Sequence, residues 1–358
     1  MSNKKINKLG QDGAFVMGPA RCGSTLVSDI INLHPDILSI SEFFASHALD
    51  CLLQGSLTGS DYWQRLSKSS PIVRIMISRD TMPGEFLYQS DVGRFAIGDV
   101  PPILKITLPH LSNNPDKLFD QLSNTVPNQP MQSRQDHHAM FFENLKNLCG
   151  GNIWVERSRM SLMYARILPQ LFPRAKFIMM YRDGRDVSLS LQSFKPARAI
   201  IWIWSKLRKL GVNPLNLDSP MGRSKKYKLF AEFPNNQNFF ISKWPAQWML
   251  KNPPPLKDCA NFWSEMTIKG LAEFKKIPNS HRHYLCYESL VKDPKPQLTT
   301  LANFLNVDPQ KDWLNKAVVL PQKLQPRWKN LDFEEQKKLD EWTKNARTEV
   351  NKFFANYV

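Results

Sequence analysis

Short apolar runs alternate along the chain with segments whose apolar positions recur at helical spacing. Residues 14–17 form an apolar run that is typical of a buried strand, and in residues 24–33 apolar side chains return every three or four positions, as on one helix face. The same order, a strand and then a helix, recurs at 152–171 and at 176–193. Alternating elements of this kind predict an α/β fold in three layers, a parallel sheet with helices on both faces.

Two stretches interrupt this alternation. Residues 43–150 combine helical segments with proline-rich loops, and residues 195–260 contain several tryptophans and the basic cluster 223–228. We interpret both as inserts that cover a cleft of the sheet, because the variable parts of a shared scaffold usually lie in loops. The whole chain, 1–358, is predicted to be one domain that ends in a C-terminal helix within 331–358.

The first strand leads into Gly18-Pro19-Ala20-Arg21-Cys22-Gly23-Ser24-Thr25-Leu26. A strand, a glycine-bracketed loop and a helix direct backbone N–H groups at a phosphate. The glycine spacing fits a Walker A loop, but Ser24 stands where the lysine should follow, and the cation, Arg21, lies inside the loop. The lysine would contact the β- and γ-phosphates of ATP or GTP, so its loss argues against these nucleotides. A kinase or NTPase with an unusual loop is the alternative.

A second phosphate-binding segment follows the strand that ends at Tyr181. Arg182 stands at the carboxyl end of this strand, and Ser190 lies on the helix that begins after the Asp183-Gly184 turn. An arginine and a serine across such a turn can both contact one phosphate, the arginine as a fork and the serine as a donor.

A third segment, Tyr287-Glu288-Ser289-Leu290-Val291-Lys292-Asp293-Pro294, precedes an apolar helix that extends to Leu305. With the two phosphate segments, it resembles the sulfotransferases that use 3'-phosphoadenosine 5'-phosphosulfate (PAPS). The resemblance runs from about residue 14 to about 330 and is closer to the tyrosylprotein and bacterial type than to the cytosolic type. It implies that Arg182 and Ser190 bind the 3'-phosphate of PAPS. It also implies that the first loop binds the 5'-phosphosulfate through Arg21, Cys22, Gly23, Ser24, Thr25 and Leu26.

The resemblance implies transfer of a sulfuryl group by in-line displacement to a hydroxyl group of a small-molecule acceptor, a natural product, lipid or sugar. PAPS would leave as adenosine 3',5'-bisphosphate (PAP). Arg21 would stabilise the leaving phosphate, and Arg157 stands where many members have a second cation, a lysine. An arginine stays protonated, so it can stabilise charge but not donate a proton. Arg327, in a late basic loop, would contact the 3'-phosphate.

The base that accepts the acceptor's proton is the least determined residue. Glu42 follows the first helix, as the base does in the tyrosylprotein type, and a partly desolvated glutamate could have a pKa suited to this role. The rival candidates are histidines: His110, His137 and His138.

The net charge of +16, from 48 basic and 32 acidic residues, suits a cleft that attracts a polyanionic donor. A non-catalytic protein that binds sulfated or phosphorylated polymers would have the same charge. Nucleic acid is not expected as a partner, because the sequence has no zinc-finger spacing and no RNP-type strand.

The five cysteines are scattered and form no CxxC pair, which indicates a reducing compartment and argues against a zinc site. No metal is required, because arginines can stabilise the leaving group. The N-terminus lacks a signal peptide's apolar core, and no run approaches the roughly 18–20 apolar residues of a membrane span. We therefore expect a soluble, cytoplasmic and bacterial enzyme. The sequence allows a homodimer and leaves the acceptor open.

Overall fold

The protein is described here by a computed structural model covering residues 12–46, 52, 55–68, 86–211, 213, 215, 248–322 and 325–355. Its strands, within these ranges, are β1 Gly13–Met17, β2 Ile37–Ser41, β3 Ser56–Leu57, β4 Gln132–Ser133, β5 Ile153–Arg157, β6 Lys176–Tyr181 and β7 Arg282–Cys286. Five of them form a sheet in the order β2-β5-β1-β6-β7, in which every neighbouring pair is parallel. The short strands β3 and β4 form a separate antiparallel pair.

Helices connect and cover these strands. With bounds inside the described ranges, they are α1 Ser24–Asn32, α2 Phe43–Ser46, α3 Gly59–Ser67, α4 Pro102–Lys105, α5 Thr107–Leu111, α6 Pro115–Thr125, α7 Arg134–Cys149, α8 Leu168–Leu171, α9 Gly184–Ser193, α10 Lys195–Lys209, α11 Leu256–Phe274, α12 Tyr287–Lys292, α13 Pro294–Leu305, α14 Lys311–Ala317 and α15 Phe333–Ala355.

The central sheet is buried on both faces. In β1, Phe15 and Met17 belong to one apolar cluster, whereas Ala14 and Val16 belong to a second cluster on the opposite face. Successive side chains of a strand point to opposite faces, so the two clusters are the two interfaces between the sheet and its helices. The predicted three-layer α/β fold with a parallel sheet is therefore confirmed.

The edges of the sheet differ from the sequence prediction. Neither β2 nor β7 was predicted. Both are edge strands of this sheet, and each mixes apolar with polar residues, such as Ser39 and His283, so neither reads as a continuous buried run. They complete the sheet around β1, β5 and β6, which the sequence predicted.

The single helix predicted after β5 is also divided. The structure has a 3₁₀ turn at Ser161–Tyr164 and the short helix α8 instead. Met160 has a left-handed φ of 59°, which interrupts a helix at its start. Pro169 has no N–H to donate, so it occurs in the first turn of α8.

At the C-terminus, α15 begins with a side-chain cap, because the carboxylate of Asp332 accepts the N–H of Glu335 at 2.8 Å. Leu339 and Phe353 of this helix are buried. The basic cluster 223–228, which the sequence analysis assigned to an insert, lies outside the described residues.

Candidate active site

A cleft with a volume of about 390 Å³ opens at the carboxyl ends of β1, β5 and β6. Ligands of open parallel sheets bind at this edge. The described residues that line it are Ala20, Arg21, Gly23, Ser24, Thr25, Leu26, Glu42, Arg157, Arg159, Arg182, Phe194, Tyr287, Leu320 and Gln322.

The loop between β1 and α1 turns sharply through two left-handed residues. Arg21 has a φ of 64° and Gly23 a φ of 93°. The N-cap residue of α1 is Gly23, which has no side chain to cap the first N–H groups, and α1 begins at the cleft end of the sheet. Glycine is required at position 23, because a Cβ there would lie 2.4 Å from the ring of Tyr287. The loop therefore has the geometry of an anion site.

Cys22 differs from its neighbours in the loop. The other five loop residues predicted to bind the donor line the cleft, whereas the Cys22 side chain is buried away from it. Its thiol packs under Gly18, where a Cβ would lie 2.5 Å from the sulfur. Burial raises the pKa of this thiol, which keeps it neutral. Cys22 can therefore contribute to a ligand site through its backbone N–H.

The side chain of Arg21 contacts a hydroxyl group and an aromatic ring. Its Nε donates to the hydroxyl of Ser190 at 3.0 Å, and its guanidinium carbon lies 4.5 Å from the centre of the Phe194 ring. Ser190, on α9, is thus connected to the cleft through Arg21.

Arg182 leaves the end of β6 and lies over Tyr287, with its guanidinium carbon 4.4 Å from the ring centre. Its Nε is buried and has no hydrogen-bond partner in the described part of the chain. Tyr287 therefore contacts both of the segments that the sequence predicts to bind phosphate, the loop at Gly23 and the arginine at the end of β6.

Glu42 is the carboxylate of the cleft. It stands directly after β2 in a left-handed conformation, with φ 59°, and its side chain is only 1% exposed. One carboxylate oxygen binds Nη1 of Arg157, and the other accepts from Nε of Arg159 at 2.8 Å. Arg157 also donates to the hydroxyl of Ser41 at 2.9 Å, and its Nε is buried without a partner in the described ranges. The sequence candidates Glu42 and Arg157 are thus in direct contact.

The three histidine candidates lie elsewhere. His110 lies beside the hydroxyl of Ser39, 3.2 Å away, and burial, with a smaller effect of Arg157, lowers the pKa of His110 to about 4. His138 is 2.9 Å from the hydroxyl of Tyr62, and His137 contacts the backbone carbonyl of Leu57 at 2.8 Å. None of the three is among the described residues that line the cleft.

Arg327 lies in a 3₁₀ turn, Arg327–Asn330, that packs against α9. Its Nη2 is 3.4 Å from the hydroxyl of Ser193, one turn beyond the predicted phosphate ligand on the same helix. The next residue, Trp328, is fixed by the Arg185 guanidinium, 3.8 Å from the ring centre. Arg327 is outside the residues that line the cleft, but it is held beside the helix that carries Ser190.

Comparison with known proteins assigns this chain to a family. The profile of the sulfotransferase domain matches residues 11–356. The chain belongs to the sulfotransferase domain family. Comparison with curated proteins finds no match.

Three solved structures are similar to this sulfotransferase. The sulfotransferase domain of the Synechococcus PCC 7002 olefin synthase is 19% identical, with 92% of this chain and 86% of that one covered and a TM-score of 0.43. A sulfotransferase domain from the curacin biosynthetic pathway is 14% identical, with 95% and 97% covered and a TM-score of 0.45. Retinol dehydratase, in complex with androsterone and the inactive cofactor PAP, is 13% identical, with 94% and 81% covered and a TM-score of 0.38.

Sequence reasoning missed several residues of the sulfotransferase cleft. Arg159 binds Glu42 and lines the cleft, yet only Arg157 was proposed. Arg159 stands in the turn after β5, where strand alternation no longer indicates the direction of a side chain. Tyr287 was recognised within its motif but received no site role. Phe194, Leu320 and Gln322 have no local pattern that marks them.

Two further features bear on the chemistry of this site. Within the described ranges, no three His, Cys, Asp or Glu side chains come together as a metal-binding group. Among the helices of those same ranges, none is both long enough and apolar enough to cross a membrane.

Proposed function

We propose that this sulfotransferase moves a sulfuryl group from PAPS to a hydroxyl group of a small-molecule acceptor, a natural product, lipid or sugar. The observation that carries the proposal is the set of four arginines and one carboxylate that the described residues contribute to the cleft. A site with this excess of positive charge suits a polyanionic donor.

The residues of the cleft fit such a donor. The start of α1 offers backbone N–H groups, and the Nε atoms of Arg157 and Arg182 are buried donors without partners in the described chain. An unsatisfied buried donor costs about 1–3 kcal/mol, and an anionic oxygen would remove that penalty. These donors support the assignment of the phosphate loop to the 5'-phosphosulfate, with Cys22 acting through its backbone.

At the other end, Arg182, Ser190 and Arg327 would hold the 3'-phosphate. Arg182 and Arg327 can donate to phosphate oxygens in a fork, and Ser190 through its hydroxyl. The contact of Arg327 with Ser193 supports this assignment, because it keeps the arginine on the helix that carries Ser190.

PAPS, when bound, supplies the sulfuryl group and leaves as PAP. Arg21 and Arg157 would stabilise the negative charge that develops on the leaving phosphate oxygen as its bond to sulfur breaks. Both guanidinium groups stay protonated, so they act by charge and hydrogen bonding. The contacts of Arg21 with Ser190 and Phe194 would preorganise it for this role.

Glu42 would accept the proton of the acceptor hydroxyl as the acceptor oxygen bonds to sulfur. Each of its carboxylate oxygens already binds one arginine. A carboxylate has about four lone-pair sites, so capacity for the acceptor hydroxyl is left. Phe194 and Leu320 add apolar surface to the cleft, which suits an acceptor with an apolar body.

The first test is calorimetric titration with PAP in the absence of magnesium, beside 5'-AMP and beside ATP with and without magnesium. We expect micromolar or tighter binding of PAP and at least about tenfold weaker binding of 5'-AMP, because a 3'-phosphate adds charge-assisted hydrogen bonds. Transfer from labelled PAPS to a panel of phenols, alcohols and sugars then identifies the acceptor. A preference for magnesium ATP would contradict the proposal and favour the kinase alternative.

A further inference from the structure

The backbone of Glu42 is in a strained conformation, so contacts with other parts of the protein must hold it there. Only glycine adopts the left-handed region without steric cost, and Glu42 is placed there between β2 and α2. The carbonyl of Arg157 accepts the N–H of Glu42 at 2.6 Å, which fixes the end of β2. The turn that follows, Phe43–Ser46, needs other acceptors, because the first N–H groups of a helix have no partners within it.

The buried residues Glu156 and Ser158 supply these acceptors. Oε1 of Glu156 accepts the N–H of Phe44 at 3.4 Å and also the hydroxyl hydrogen of Ser158. The Ser158 oxygen in turn accepts the N–H of Ala45 at 3.2 Å. The Glu156 side chain is 0% exposed and that of Ser158 is 1% exposed, so water does not compete for these bonds.

The end of β5 therefore holds Glu42 from two sides. Successive side chains of a strand point to opposite faces, so Arg157 binds the Glu42 carboxylate while Glu156 faces the turn after it. Because contacts on both sides fix its position, the Glu42 carboxylate keeps its oxygens in one place in the cleft.

The surroundings of Glu156 favour its protonated form. Burial, reinforced by the charge of Glu42, raises the pKa of Glu156 to about 8, while Ser158, Phe44 and Arg157 act in the opposite direction. From α7, the nearest titratable ring is that of His138, 5.4 Å from the Phe44 ring. The second oxygen, Oε2, is buried without a partner in the described residues.

We propose that Glu156 is a positioning residue that holds the turn Phe43–Ser46, and with it the Glu42 carboxylate, in the arrangement needed for sulfuryl transfer. It works through the hydrogen bonds that its Oε1 accepts from Phe44 and Ser158, which a neutral acid and an amide oxygen both accept. This inference rests on the proposed role of Glu42. It makes sulfuryl transfer depend on Glu156, a residue that touches neither the donor nor the acceptor.

The test compares two substitutions of one position. Glu156→Gln keeps the shape and the neutral charge, so kcat at pH 7 should stay within about twofold of the parent enzyme. Glu156→Leu removes both hydrogen bonds, and a misplaced reacting group lowers kcat by about 100-fold. The dissociation constant of PAP should change in neither variant, because Glu156 is outside the donor site.

The split between kcat and PAP affinity, together with rescue by the amide, separates positioning from general damage. Glu156→Leu should lose kcat at unchanged PAP affinity, and Glu156→Gln, which keeps the acceptor oxygen, should restore kcat. Glu143→Gln is the matched control, since Glu143 pairs with Lys146 on α7 and is outside the cleft. If Glu156→Leu does not fold, Ser158→Ala tests the same turn, with an expected loss of about tenfold in kcat at unchanged PAP affinity.

Parent-like kcat in Glu156→Leu, or a loss of kcat in Glu156→Gln as large as that in Glu156→Leu, would overturn the inference. These results would leave the proposed function intact. If the parent enzyme binds no PAP and transfers no sulfuryl group, the proposed function itself fails.

Discussion

The two halves of the cleft use arginine in opposite ways. At the phosphate loop, Arg21 contacts a hydroxyl and the Phe194 ring, and Arg182 lies on the Tyr287 ring. At the end of β5, Arg157 and Arg159 instead share the carboxylate of Glu42. Aromatic rings orient a cation without neutralising it, whereas a carboxylate compensates its charge.

The two halves of the cleft therefore differ in how the charge of their arginines is offset. At Arg182 the aromatic support leaves the positive charge for an anion, whereas the Glu42 carboxylate offsets the charge of Arg157 and Arg159 before any ligand binds. Arginines would therefore serve two purposes, attraction of the proposed donor and placement of a carboxylate. Each of the following substitutions removes one element of this contrast.

The largest effect is expected for Glu42→Gln. The amide cannot accept a proton, so kcat should fall about 1000-fold, within the range attributed to general bases. The affinity for PAP should stay close to that of the parent enzyme, because the aromatic-supported half is unchanged. Steady-state kinetics and calorimetry measure the two quantities.

Removing the carboxylate leaves Arg157 without its buried partner, so folding needs a control. Glu143→Gln, a change at a partly exposed pair with Lys146, should melt at the same temperature as the parent enzyme and keep full turnover. Undiminished turnover in a folded Glu42→Gln enzyme would exclude Glu42 as the base.

An intermediate effect is expected for Arg182→Ala. Charge-assisted hydrogen bonds contribute about 1.5–3 kcal/mol, so the dissociation constant of PAP should rise about 10- to 100-fold. With saturating PAPS, kcat should change less than the affinity does. Arg94→Ala is the matched control, since Arg94 pairs with Asp120 on the surface and does not line the cleft. Equal PAP binding in both variants would favour a non-catalytic polymer-binding protein.

The smallest effect is expected for Tyr287→Leu. The aromatic support under Arg182 contributes about 0.5–1 kcal/mol, so PAP should bind about threefold more weakly. Phe95→Leu removes a ring 5.7 Å from the guanidinium of Arg94, outside the cleft, and should leave PAP affinity unchanged. If Tyr287→Leu binds PAP as the parent enzyme does, the ring contributes only to packing.

Sequence patterns predicted the centre of the fold better than its margins. The strands β1, β5 and β6 are buried on both faces, so their apolar runs are visible without any knowledge of partners. The edge strands β2 and β7 contain polar residues that are satisfied only by tertiary contacts. Ser39, for example, donates its hydroxyl hydrogen to the carbonyl of Ser28 on α1.

Sequence patterns also predicted one part of the candidate site better than the other. Arg21 and Arg182 follow strand ends that local motifs mark, so the sequence indicated them directly. The pairing of Glu42 with Arg157 joins residues 115 positions apart, and no local pattern contains that information. The contacts of Glu156 could not be predicted for the same reason, because this residue of β5 binds the turn that follows a different strand, β2.

The order of the strands in the sheet sets an order of events during synthesis. β1, the first strand to be made, lies at the centre of the sheet, and both of its neighbours, β5 and β6, come after the whole segment 43–150. Pairings so distant along the chain form slowly. A nascent chain that has not reached Tyr287 contains the phosphate loop but lacks the ring that contacts it. The proposed donor site is therefore completed only after β7 and Tyr287 have been made, although its loop and α1 are among the first parts of the chain to be made.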